Sequence, residues 1–433
     1  MTSSASAPTP RRQFLKQGAS VSAAAMLGGM PLFASGQQQV KLAFMYPVGV
    51  SGDINRLVSA MIAGFNAAHG NIQVEAIYAG SYDNTEQKVM TALGVGDPPA
   101  SWLPINSMLT TFLGMDALED VTALAKADDI FQDFLPGFLG TCMSDNKLYG
   151  LPFQCSTPVL YYNKAAFEKA GAKPPTNWTE LEAAAKALTV RQGDTVSQWG
   201  LTIGGGWHDW IFESFVRQNG LVFWNKEKVM FDAPESLNAL EFWVRMAQAK
   251  YMPAASTWES SANDFMAGRT AMLYHSTGSM TNILKSSSFP VGVVPMPKGK
   301  QLGSTMGGGP ILIAKKQPDA HKRAAWTFAR WMTNTANQAQ WCVDTGYLAA
   351  RKSSWETPVL KAHVAKVPES RAAFVTAEVA GAFLQVPGYH KVRSFLQSAI
   401  DRSLTGEIKP DAALKDATAK ANLEIQRLSR RRT

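Results

Sequence analysis

The chain has 433 residues, of which 46% are hydrophobic, enough for sizeable cores in two or three domains and too apolar for a disordered chain. Its formal net charge is +8, yet no basic stripe interleaved with aromatics occurs, so nucleic acid is not an expected partner. Three cysteines, Cys142, Cys155 and Cys342, stand in no CxxC or Cys/His spacing, which gives a metal site no support and predicts buried free thiols.

The N-terminus reads as a leader spanning residues 1–36. Arg11-Arg12-Gln13-Phe14-Leu15-Lys16 precedes a weakly apolar, Ala/Gly-rich stretch from Gly18 to Phe33, the order of a twin-arginine export signal. That stretch is too short and too glycine-rich for a membrane span of about 20 apolar residues. Ala34 and Gly36 suit a signal peptidase, so a mature start near Gln37 is expected. Loss of Arg11, Arg12 and Lys16 lowers the net charge from +8 to +5, a mildly basic body compatible with a small anionic ligand.

The periodicity then predicts a strand over Val40–Tyr46 and an amphipathic helix over Asp53–Ala68 with Ile54, Leu57, Val58, Met61, Ile62 and Phe65 on one face. A strand from Asn71 to Tyr78, a helix from Tyr82 to Leu93 and a strand around Ala100–Pro104 follow. This β-α-β-α-β order predicts a mainly parallel, doubly wound sheet, with ligands at the carboxyl ends of strands, where Tyr82 and Asn106 fall.

Pro152 to Lys164, PFQCSTPVLYYNK, reads as a strand that crosses from one α/β region to another. Pro158 biases Thr157 toward an extended backbone, and Val159 to Tyr162 have the composition of a buried strand. Helices are expected at Asn163–Ala170 and Trp178–Leu188, the second with a Thr179/Glu182 capping box. Gln198–Ile203 is a predicted strand that runs into Gly204-Gly205-Gly206-Trp207-His208-Asp209-Trp210, read as a loop. Helix at Glu235–Ala249, strand at Ala271–Tyr274 and extended chain at Pro290–Pro297 come next. Gly307-Gly308-Gly309-Pro310 is read as a second loop, and Ile311–Ala314 as the second crossing; helices at Ala320–Met332 and Asn337–Val343 and a helical C-terminal region complete the pattern.

Sequences diagnostic of catalysis are lacking: no G-x-S-x-G, H-E-x-x-H, Walker or G-x-G-x-x-G element occurs in the right setting. His208 beside Asp209 is the remaining acid-base candidate, and it defines a rival reading as a secreted phosphodiesterase. Binding features are more numerous. The two glycine triplets can expose N–H groups to an anion, although such triplets also make tight turns. Ser276-Thr277-Gly278-Ser279 stands before a predicted helix at Met280–Lys285 and offers either a phosphate site or simple N-capping. Trp207 and Trp210 suit a pocket wall or a core. Arg393 can hold phosphate through two parallel hydrogen bonds, or lie on the outside of an amphipathic helix.

Several segments together resemble the periplasmic glycerol-3-phosphate-binding proteins of ABC importers, within the extracellular solute-binding proteins for sugars. They are Pro152-Phe153 with Ser156 to Lys164; Ala166-Phe167 to Gly171; Gly206-Trp207 with Trp210-Ile211; Asn219-Gly220; Ser276 with Gly278-Ser279 and Asn282-Ile283; Gly307-Gly308; Thr345 to Leu348; and Thr405-Gly406. The resemblance implies an α/β, two-lobed periplasmic-binding-protein fold of type II, with hinged lobes and a ligand cleft between them. One lobe is expected from residues 37–155 plus 303–343 and the other from 156–302 plus 344–433. It also implies ligand contacts at Tyr82, Ser156, Trp207, Trp210, Ser276, Gly308, Tyr347 and Arg393, with Asn106 where the family has a carboxylate for the glycerol hydroxyls. An amide both accepts and donates, so Asn106 retains a hydroxyl contact but removes a negative charge. The implied partners are a small phosphorylated polyol and the transmembrane subunits of an ABC permease with its cytoplasmic ATPase. The chain is expected to act as a periplasmic monomer, with no catalytic group, metal or cofactor. A glycerophosphodiester, or a neutral sugar or oligosaccharide stacked on the tryptophans, is the alternative ligand.

Overall fold

The computed structural model describes residues 39–430, so the twin-arginine leader lies outside the described residues. Strand β1 (Val40–Tyr46) alternates in burial and turns Leu42, Phe44 and Tyr46 inward. Helix α1 (Ile54–Ala68) buries Ile54, Val58, Ile62 and Phe65, the spacing of one helical face. β2 (Ile72–Tyr78) runs parallel to β1, with Val40 opposite Ile72. α2 (Tyr82–Val95) starts at Ser81, whose side chain accepts the Asn84 N–H, and ends at Gly96 in the left-handed region. The short β3 (Ser101–Trp102) lies parallel to β1 on its other side.

The stretch around Thr157 divides between two sheets. β4 (Gly150–Ser156) belongs to the first sheet and β5 (Pro158–Asn163) to the second, with fully buried Thr157 between them. β6 (Thr202–Ile203), α3 (His208–Gln218), α4 (Trp258–Met266), β7 (Met272–Ser276) and β8 (Val291–Val294) follow. The second sheet has the order β6-β7-β5-β8, with β5 antiparallel to both neighbours. The chain then returns through β9 (Ser304–Ile313), and α5 (Asp319–Met332) seats Phe328 and Trp331 edge-on against Phe65 of α1. β10 (Ala380–Ala382) and α6 (Tyr389–Leu404) complete the elements that reach the site. The first sheet runs β10-β9-β3-β1-β2, with β4 also paired to β9.

Several sequence expectations are corrected. The first sheet is parallel across β2-β1-β3 and again at β9-β10, but β9 is antiparallel to both β3 and β4, so the sheet is mixed. The second crossing falls between Val294 and Ser304 rather than at 311–314, because Ile311–Ile313 lie inside the first sheet. Gly307-Gly308-Gly309 is part of β9 and fully paired with β4 through Ser156, Cys155 and Gln154, not a loop. The 178–188 helix is capped by Asn177, which accepts the Glu180 N–H at 2.9 Å; the start lies two residues before the Thr179/Glu182 box. Gln198–Ile203 is not one strand, since 195–198 pairs in a hairpin with 190–192 and only Thr202–Ile203 joins the sheet. Cys142, Cys155 and Cys342 are buried free thiols, and burial raises Cys142 and Cys342 to about 12.

Candidate functional site

The loops at the ends of both sheets meet around a small, partly open pocket with a cavity volume of about 30 Å³. From the first sheet come Tyr82 at the start of α2, Ser156 at the end of β4 and Gly308 within β9. From the other side come Trp207 and Trp210 at the start of α3, Ser276 at the end of β7, and Tyr347 after a left-handed Gly346. Seven of the nine sequence-predicted site residues thus share one pocket. Strand ends and helix starts put them there, as expected for ligand sites in α/β sheets.

Close backbone approach makes the wall possible. A Cβ on Gly307 would come within 2.7 Å of the Trp210 ring and 2.9 Å of Ser156 Oγ, so glycine lets the indole lie against the strand. Likewise, a Cβ on Gly278 would meet the Tyr347 ring at 2.7 Å. Gly308 has φ +84°, a conformation that glycine adopts without strain.

The wall is aromatic and uncharged. Trp207 meets Tyr82 edge-on at 5.9 Å, and Trp210 meets Trp258 at 6.3 Å. Tyr82 donates its hydroxyl to Gln154 Oε1, which also lies 3.4 Å from the Tyr347 hydroxyl. Burial, with the neighbouring Tyr347, raises Tyr82 well above the ordinary phenol range, and burial likewise raises Tyr347, so both are neutral donors. Ser276 Oγ accepts the Gly278 N–H at 3.1 Å, which leaves its own O–H to donate elsewhere. The Trp210 indole N–H and the Gln154 amide nitrogen are buried without a hydrogen-bond partner in the protein. Only Trp210 of the two lines the pocket, and its unpaired N–H is what an acceptor on a solute would satisfy.

Arg393 and Asn106 stand outside the wall. The Arg393 guanidinium lies 4.0 Å from the Trp207 ring centroid, on the side held by Asp209. Its Nε donates to Asp209 Oδ2 at 2.9 Å, NH1 reaches Asp83 Oδ1 at 3.3 Å, and NH2 donates to the Gly206 carbonyl. Burial opposes its charge, but Asp209, Tyr389 and Asp83 together outweigh that and raise its pKa above the usual guanidinium value. Arg393 is therefore a buried cation with its hydrogen bonds engaged, not an outer-face arginine. Asn106, also buried, donates from Nδ2 to the Met306 carbonyl at 3.1 Å, while its backbone carbonyl accepts from Gln385. A carboxylate could not make that donation.

His208 and Asp209 do not form a dyad. Asp209 binds Arg393 and Gln397, while the His208 ring accepts the Gly206 N–H at Nδ1 and has Nε2 3.3 Å from Asp401. Pocket residues that sequence reasoning passed over are Gly49, Val50, Ile105 and, above all, Trp258. Trp258 begins α4 behind a Thr257/Ser260 capping box and donates its indole N–H to the Gly49 carbonyl at 3.1 Å. A tryptophan directly after a capping threonine, at a loop-to-helix junction, was the available signal.

Residues 60–368 match the family described as bacterial extracellular solute-binding protein, and the chain belongs to that family. The sn-glycerol-3-phosphate-binding periplasmic protein UgpB of Escherichia coli O1:K1 is 26% identical over 94% of this chain and 98% of its own length. UgpB of Salmonella typhimurium is 25% identical over 88% of this chain and 92% of its own. Among solved structures, a solute-binding protein of Thermotoga lettingae bound with α-D-tagatose superposes with TM-score 0.79 at 24% identity, covering 89% of this chain and all of the other. UgpB from Mycobacterium tuberculosis in complex with glycerophosphocholine gives TM-score 0.79 at 22% identity, over 89% and 98%. These likenesses establish the two-lobed solute-binding fold.

Proposed function

We propose that this member of the bacterial extracellular solute-binding family is the substrate-binding component of an ABC importer. In this reading it captures sn-glycerol-3-phosphate or a glycerophosphodiester in the periplasm and hands it to the permease. The observation that carries the reading is the convergence of Tyr82, Ser156, Trp207, Trp210, Ser276, Gly308 and Tyr347 on one pocket lined from both sheets. The curated Escherichia coli relative carries the name of a glycerol-3-phosphate-binding periplasmic protein, which supports the ligand class. Asn106 and Arg393 act from behind the wall in this reading, Asn106 by fixing β9 and Arg393 by supporting Trp207 with its charge.

The mechanism we propose is hinge closure, for which periplasmic binding proteins are a standard example. Lobes of residues 37–155 plus 303–343 and 156–302 plus 344–433 would turn about the crossings at Thr157 and between Val294 and Ser304. A solute that contacts both lobes shifts the equilibrium toward the closed form, which the permease then recognises. Export by the twin-arginine route and action as a monomer belong to the same proposal. Among the described residues no helix is long and apolar enough to cross a membrane.

A second reading, a neutral sugar, is favoured by one observation. None of the residues lining the pocket is charged, and Arg393 is held by two carboxylates. Burying a phosphate dianion against uncharged groups is costly, and a diester with one charge is less so. Calorimetric titration of the purified protein with sn-glycerol-3-phosphate, glycerophosphocholine and a maltodextrin decides between them. Heat with either phosphate and none with the sugar is expected; heat with the sugar alone would overturn the phosphate reading.

A further inference from the structure

Beside the pocket, α2 and α6 bring three side chains to one point. Asp83 and Glu86 are three residues apart on α2, so they share a face. His390, in the first turn of α6, meets them from the other side. One donor atom from each lies within 4.8 Å of the other two.

Glu86 and His390 form an ion pair, but no hydrogen bond of good geometry joins them. Glu86 is fully buried; its Oε1 accepts the Ile105 N–H at 2.8 Å, while its Oε2 has no hydrogen bond. His390 Nε2 lies 2.7 Å from that oxygen and is also without a hydrogen bond, so the ring N–H direction does not run along the line between them. A buried carboxylate oxygen and an imidazole nitrogen that stand together in this way are both satisfied by a shared cation. Asp83 is exposed and adds a third oxygen within 4.8 Å of the other two donor atoms, 3.3 Å from Arg393 NH1.

We propose that Asp83, Glu86 and His390 bind a divalent transition-metal ion. Two carboxylate oxygens with one imidazole nitrogen suit zinc or manganese, whereas calcium prefers oxygen alone and copper(I) wants sulfur. Three protein ligands leave positions for water. Arg393 competes with the ion for Asp83 and keeps Asp209 when it loses that contact. The ion joins the helix that starts with Tyr82 to the helix that carries Arg393, and so it stabilises the arrangement in which the two meet.

The test uses the purified chain stripped with a chelator, titrated calorimetrically with Zn²⁺ and Mn²⁺, and with Co²⁺ for its visible absorption. One ion per chain is expected, with affinity lowered about tenfold or more in Glu86→Gln and His390→Gln. The exposed Asp83→Asn keeps the proposal testable if either buried variant fails to fold, and it should weaken binding as well. No binding of any of the three ions, or binding unchanged in Asp83→Asn and in the folded members of the buried pair, would overturn the site and leave an ion pair only.

Discussion

The pocket wall and the layer directly behind it are built from neighbouring residues of opposite character. Tyr82 faces the pocket while Asp83 faces α6; Trp207 faces the pocket while Asp209, two residues on, is buried against Arg393. The wall offers rings, hydroxyls and the unpaired Trp210 N–H and no charge. The layer behind it holds Asp83, Glu86, Asp209, His390 and Arg393 within a few ångströms of each other. The difference teaches how charge is arranged here: in the proposed function it would reach a solute through the Trp207 ring and not through a bare ion. A guanidinium 4.0 Å from the Trp207 ring centroid polarises that ring while keeping its own hydrogen bonds.

Arg393→Ala is the change with the largest expected effect on this arrangement. Asp209, fully buried, would be left with Gln397 at 2.9 Å and no cation, a situation that costs about 3–5 kcal/mol. A urea denaturation midpoint should fall accordingly, and the pair Asp209→Asn with Arg393→Ala should recover part of the loss. Full stability with abolished solute binding would mean that Arg393 touches the solute directly, and the two-layer picture would fail.

Gly307→Ala acts on the wall alone. The added methyl meets Trp210 and Ser156, and one of them must move, at about 1–3 kcal/mol. The expected signature is a loss of solute affinity larger than the loss of stability, measured by titration beside a denaturation curve. Equal losses would show that the strand and not the wall takes up the strain.

A pH profile sharpens the same contrast, because a histidine also touches the wall. His275 stacks on Trp258 with centroids 3.8 Å apart, and burial pushes its pKa down from 6.5 to about 3. It is neutral when folded, so the unfolded chain takes up the extra proton below pH 6.5. That contribution is fully present above pH 6.5 and is lost as pH falls toward 3, amounting to about 2 kcal/mol by pH 5. His275→Phe keeps the stacking and removes the proton, so its stability should fall less between pH 6.5 and 5. An identical slope in both proteins would place the acid sensitivity elsewhere.

Much of the fold was legible because its signals are local. The period-2 burial of Val40–Tyr46 and the helical stripe of Ile54, Val58, Ile62 and Phe65 appear in the sequence as they do in the fold. Gly307 to Gly309 misled because glycines mark loops locally, whereas here they thin a strand so that Trp210 can lie on it, a requirement set by a residue about a hundred positions away. The seven wall positions came from resemblance to a family, and no spacing rule assembles Tyr82, Ser156 and Tyr347 into one pocket. The roles of Arg393 and Asn106 were out of reach for the same reason. Their partners, Asp83, Asp209 and Met306, are distant in sequence and become neighbours only after folding.

Trp258→Phe tests the wall where it was least legible, and its expected effect is the smallest. The ring that meets Trp210 edge-on is largely kept, and the lost interaction is the indole N–H to the Gly49 carbonyl, which joins α4 to the loop after β1. A single hydrogen bond of this kind contributes about 0.5–1.5 kcal/mol. Because Gly49 and Trp258 both line the pocket and come from opposite sides of it, that bond bridges the pocket, and under the proposed hinge closure it would favour the closed form. Its loss should therefore lower solute affinity a few-fold and speed solute release, with the denaturation midpoint almost unchanged. A drop in midpoint with unchanged release would assign Trp258 to the core of its own lobe and remove it from the wall.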